Sequence, residues 1–144
     1  MSKVAVIVSS HGPMAGAAME SVEMVIGKQE NYCTVCVDMN MNLAEVSEQL
    51  EEAYQKLNTE KGTVVLVDVF GGTPSNVSGV LALKHENVLV YSGLNFPLLI
   101  QLFFNQEASL EKLEELLEKA YMEGIHNISK KVRESEAKED ECEI

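Results

Sequence analysis

Arginine is almost missing from this chain: Arg133 is the only one in 144 residues. Basic charge is scarce altogether. Eleven lysines and arginines stand against 23 aspartates and glutamates, a formal net charge of −12, so the basic footprint that nucleic acid or an anionic membrane would require is absent. A protein partner with a basic patch suits the chain better. No apolar run approaches the roughly 18 residues that span a bilayer, and membrane insertion is not expected. The opening MSKVAVIVSSHG has a lysine and a short apolar run but no small-residue cleavage site, which argues against export. Cysteine occurs in an odd count of three, which fits a reducing compartment better than a disulfide framework and makes the cytoplasm the expected location. Internal repeats and Pro-rich linkers are also lacking. A chain of this length is expected to form one domain, burying about 70% of its unfolded surface.

What is present is an alternation of short valine-rich runs with helical patterns. Residues 3–9, 33–38, 63–69 and 87–92 read as strands. Between them, residues 14–28 carry Ala18, Val22 and Val25 at helical spacing, residues 43–57 carry Val46, Leu50 and Ala53, and residues 74–84 form a shorter helix. Nearly unbroken valine runs suit strands covered on both sides. The expected fold class is therefore α/β: a three-layer open sheet, mainly parallel, in the common strand order 2-1-3-4 with helices on both faces. Residues 96–104 and 109–122 add two further helices. The domain is expected to occupy residues 1–133, and the acidic stretch 134–144, with few apolar anchors, to form a disordered tail carrying Cys142 as an exposed free thiol.

In open α/β sheets ligands bind beyond the carboxyl ends of the strands, where adjacent strands send their helices to opposite faces. Two segments meet that description. Ser9-Ser10-His11-Gly12-Pro13 leaves the first strand and enters a helix, with Pro13 suited to its first position. Asp68-Val69-Phe70-Gly71-Gly72-Thr73-Pro74-Ser75-Asn76 leaves the third, turns on two glycines and enters another helix with Thr73 as N-cap. With strands one and three adjacent, His11, Asp68 and two helix N-termini converge. Helix N-termini favour an anion and disfavour a protonated imidazole, so a neutral, nucleophilic His11 able to accept a phosphoryl group is expected. Asp68 could accept the proton on its other ring nitrogen in a hydrogen bond, fixing the tautomer. A phosphatase or mutase would clamp its phosphate with bidentate arginines; with only backbone amides and the Thr73 hydroxyl in prospect, a carrier fits better than a hydrolase. Neither a metal nor a cofactor is called for.

These same residues carry a resemblance. SSHGPMA, VDVFGGTPSN and SGLNFPLL resemble, in order and at similar spacing, the mannose-type enzyme IIA domains of the bacterial sugar phosphotransferase system, over roughly residues 3–130. The resemblance implies that His11 is phosphorylated, with Asp68 orienting it and the loop residues Gly71, Gly72, Thr73 and Ser75 near the phosphoryl oxygens. It implies HPr as phosphoryl donor and a separate mannose-type enzyme IIB as acceptor, serving a membrane permease of IIC and IID components. It further implies a homodimer in which a C-terminal segment is exchanged, and a free-standing IIA. Two other functions stay open: a phosphoryl donor to dihydroxyacetone kinase, and a regulatory binding module that responds to phosphorylation.

Plainer readings stand beside each candidate. Asp68 could only cap a turn, and helix capping alone accounts for Thr73. His85 and His126 read as solvated surface residues. Cys33 and Cys36 have the spacing of a redox or zinc motif, yet three residues apart on a strand they point to opposite faces, as buried strand cysteines would. Met14, Met19 and Met24 read as core methionines, although Met14, next to His11, could meet a docking partner. Phe96 and Pro97 could form a docking rim or pack in the core.

Overall fold

The valine runs become the middle layer of the molecule. In the computed structural model, which describes residues 2–142, they form strands β1 (Ala5–His11), β2 (Tyr32–Val37), β3 (Thr63–Val67) and β4 (Val88–Tyr91). All neighbouring pairs are parallel and the order is β2-β1-β3-β4, as the alternation implies. The central strands β1 and β3 are buried on both faces, which is why their apolar runs are unbroken rather than alternating.

Helices α1 (Met14–Ile26), α4 (Phe96–Phe104) and α5 (Leu110–Glu123) cover one face. There Met19, Val22, Leu99, Leu102, Leu113 and Leu117 pack on Val4, Val6, Val8, Val64 and Leu66. Helices α2 (Leu43–Lys56) and α3 (Thr73–Lys84) cover the other, setting Val46, Leu50, Val77 and Leu81 against Ile7, Val65 and Val67. The period of two in each strand divides its side chains between these two cores. Caps start the helices where the sequence offers a polar oxygen: Asn42 accepts from the Glu45 N–H, Asn95 from Leu98 and Ser109 from Lys112.

Several expectations need correction. Residues 128–142 form a sixth helix, α6, where the stretch from 134 onward was expected to be disordered. Its glutamates, lysines and alanine are good helix formers, and residues 128–140 are exposed throughout. Residues 143 and 144, and the Cys142 side chain, lie outside the described residues. Of the three methionines read as core, only Met19 is buried; Met14 and Met24 are exposed. Cys33 and Cys36 do face opposite cores but are only partly buried, because β2 is an edge strand. His85 is not simply solvated: it stacks on Tyr54 with ring centroids 4.1 Å apart, and its Nε2 lies 2.6 Å from a Glu51 oxygen.

Leu102 is fully buried in the larger core. Leu102→Ala is expected to lower unfolding free energy by about 3 kcal/mol, read from urea denaturation; a loss below about 1 kcal/mol would show that the site collapses around the deletion.

Candidate functional site

β1 and β3 are neighbours that send their following helices, α1 and α3, to opposite faces, so the crevice at their carboxyl ends is the switch point of the sheet. His11 is the last residue of β1 and Asp68 immediately follows β3. Parallel pairing of these strands brings the two together across 57 residues of chain.

Asp68 works as a three-donor acceptor. One oxygen, Oδ2, accepts from the His11 backbone N–H at 2.9 Å and lies 2.9 Å from the same residue's ring Nδ1; Oδ1 accepts from the Val69 N–H at 2.9 Å. Burial pushes the Asp68 carboxyl up, but the hydrogen bonds from His11 and Val69 outweigh it and hold the group below the ordinary aspartate value. The ionised carboxylate can only accept, so Nδ1 carries the proton, and in the neutral form of the ring Nε2 is the nitrogen with the lone pair. The His11 side chain is 52% exposed, open to a reacting partner, whereas that of Asp68 is only 14% exposed.

Nε2 is next to the glycine turn. Gly71 has φ 91°, in the region glycine favours, which lets the chain reverse after Phe70. Gly72 comes so close that a Cβ there would lie 2.6 Å from His11 Cε1 and 3.1 Å from Nε2. Gly72, rather than Thr73, is the N-cap of α3: the first helical bond runs from the Asn76 N–H to the Gly72 carbonyl, placing Thr73 at the first helical position. Likewise Pro13 is the N-cap of α1 and Met14 its first residue. The first turn of α3 leaves the N–H groups of Thr73 and Ser75 without intrahelical acceptors, Pro74 having none to offer. An anion on Nε2 would therefore sit at the positive end of a helix.

Not every candidate joins this group. Ser75 lines a hollow of about 380 Å³ with Val67, Phe70 and Val90, which His11 does not line. Phe96 and Pro97 line a separate groove of about 840 Å³ between α4 and α5. Met14 stays exposed beside the His11 turn, and Val69 and Phe70, which drew no notice in the sequence, add exposed apolar surface on the Asp68 loop. The second role of Asp68, binding the His11 main chain, was also missed, since backbone partners leave no mark on residue type. Among the described residues no group of three His, Cys, Asp or Glu side chains could hold a metal ion, and no helix is long and apolar enough to cross a membrane.

Residues 5–121 match the family described as "PTS system fructose IIA component". That match places the protein among the IIA components of the sugar phosphotransferase system. The chain belongs to this family, the mannose-type IIA components. It is 36% identical over 100 residues to the sorbose-specific EIIA component of Klebsiella pneumoniae, covering 69% of this chain and 73% of that protein. It is 28% identical over 136 residues to the mannose-specific EIIAB component of Escherichia coli K12, covering 93% of this chain; it spans only 42% of that relative's length. Among solved structures, the phosphotransferase component EIIA of Streptococcus agalactiae superposes with a TM-score of 0.81 at 26% identity, covering 88% of this chain and 98% of that one.

The space Gly72 leaves for the imidazole is testable. Gly72 has φ −83°, so alanine strains no backbone, but its methyl must displace the ring. On the phosphocarrier reading proposed below, Gly72→Ala is expected to slow phosphoryl acceptance at least about tenfold with the circular dichroism spectrum unchanged. Wild-type rates in that variant would mean that ring placement is not limiting.

Proposed function

We propose that this protein is a phosphocarrier in which His11 accepts a phosphoryl group from phospho-HPr and passes it to a mannose-type enzyme IIB, which serves sugar uptake through a IIC/IID permease. The observation that carries the reading is the short contact between His11 Nδ1 and Asp68 Oδ2 with Nε2 left free beside Gly72. The Nε2 lone pair attacks the phosphorus; a new N–P bond forms while the donor's own bond to phosphorus breaks and the donor atom keeps the bonding pair. No proton needs to leave His11 in this step. The phosphorylated ring, still protonated at Nδ1, is cationic and is balanced by the Asp68 carboxylate.

Release follows from what is scarce. The one arginine, Arg133, is on α6, and the two loops at the crevice offer backbone N–H groups, the Thr73 hydroxyl at the start of α3 and a helix end. Such donors stabilise a phosphoryl group less than a bidentate guanidinium pair does, so the group can be handed on. The acidic surface suits basic protein partners, and the family relatives described as PTS components support HPr and IIB in those roles. The cytoplasm is the compartment where such partners are met.

The test is phosphorylation with phosphoenolpyruvate, enzyme I and HPr. Acid-labile, base-stable phosphate is expected on the wild type and none on His11→Ala; Asp68→Asn is expected to be slower by about 10²-fold yet folded. Label on His11→Ala would overturn the assignment. Transfer of the label to a dihydroxyacetone kinase subunit instead of a IIB would move the protein to that branch.

The same reading includes a homodimer in which a C-terminal segment crosses to the second subunit. Support comes from α6, exposed along residues 128–140 with Ile128 and Val132 unburied, and from the open α4–α5 groove lined by Phe96, Pro97, Ile100 and Leu116. Light scattering is expected to give a dimer for the full chain and a monomer for a chain ending at Gly124. A dimer that survives the truncation would exclude the crossing segment as its cause.

A further inference from the structure

The geometry points to Ser10 as a positioning residue that acts through His11, a role that rests on the phosphocarrier reading of the same site. Ser10 is fully buried at the end of β1. Its Oγ accepts a 2.7 Å hydrogen bond from the Ala15 N–H and donates to the Gly12 carbonyl at 3.2 Å. The first of these does what an N-cap side chain normally does. The N-cap of α1 is Pro13, whose side chain can make no capping hydrogen bond, and the missing acceptor is supplied from the strand, five residues before Ala15. The second bond ties the carbonyl of the residue after His11. With the Gly12 N–H donating to the Val37 carbonyl at 2.7 Å, the turn is held on both sides of its peptide units.

His11 lies between these anchors. Asp68 fixes the ring at Nδ1 and the main chain at the His11 N–H, but neither contact sets where residues 12 and 13 go. Ser10 locks that side, so the Cα–Cβ direction of His11 and the amino end of α1 are set as one unit. Removing the hydroxyl leaves the buried Ala15 N–H without its acceptor and allows the turn to shift. A reacting nitrogen displaced by a fraction of an ångström loses rate more than affinity, because in-line attack depends on its position more steeply than partner docking does.

The test compares the wild type with Ser10→Ala and Ser10→Cys, the second keeping volume while weakening the hydrogen bonds. Two readouts are used: steady-state phosphorylation by phospho-HPr, and the 15N-labelled His11 ring by NMR in the unphosphorylated protein. In both variants kcat is expected to fall about tenfold with KM for HPr within about twofold. The Nδ1–H resonance that marks the bond to Asp68 is expected to broaden or shift while the fold persists at 25 °C. An unchanged kcat or an unchanged His11 Nδ1–H signal would overturn the role, as would a rise in KM alone. The NMR arm needs no phosphoryl transfer. If wild-type His11 takes no label the phosphocarrier reading fails, whereas an unmoved ring signal in Ser10→Ala refutes Ser10 specifically.

Discussion

The Asp68 carboxylate is the joint on which this site depends. A single oxygen serves both the backbone and the ring of His11, so it binds the end of β1 to the end of β3 and selects the tautomer in one act. Two donors from one residue leave the imidazole little freedom to rotate. The Val69 N–H on the other oxygen then holds the carboxylate itself. Because hydrogen bonds to the charged form outweigh desolvation, the group stays ionised near neutral pH. A neutral carboxylic acid there would accept more weakly and could not balance the cationic ring that the proposed phosphorylation creates.

Around that joint the fold supplies space and partial charge rather than side-chain chemistry. Gly72 contributes by having no side chain, since its Cα sits where any Cβ would strike the imidazole. α3 contributes its amino end. Ser10, buried one residue before His11, is with Ser9 one of two polar residues buried at the end of an apolar strand, and such burial is costly unless the hydrogen bonds are made. They are made to Ala15 and Gly12, the two places where the turn and α1 need holding. The site is thus assembled almost wholly from main-chain groups, one histidine and one carboxylate, which fits the proposed acceptance and release of a phosphoryl group.

Much of the fold was legible because the signals are local and strong. Valine runs buried on both faces leave few alternatives to a parallel sheet, and the helical stripes of α2 and α5 repeat the pattern expected of helices lying on it. The errors have local causes too. Thr73, a hydroxyl before proline, carries the usual sign of a cap, yet the extended Gly72 carries the first helical bond of α3. Residues 134–142 lack apolar anchors, which argued for disorder, while their helix-forming composition favours the helix observed. His85 looked solvated because its partners Glu51 and Tyr54 are on α2, more than 30 residues away.

By itself the sequence determined the α/β class, the two loops that end in helix N-termini and the identity of His11 and Asp68 as the residues to watch. Residue type and spacing carry that much, because burial pattern, glycine turns and a near absence of arginine are properties of the chain. Only the tertiary structure decided which ring nitrogen is free, that Asp68 also holds the His11 backbone, that Gly72 is the close neighbour and that Ser10 fastens the turn. Those facts depend on the pairing of β1 with β3 and on ångström-scale distances between main-chain atoms, and main-chain atoms are the same in every residue.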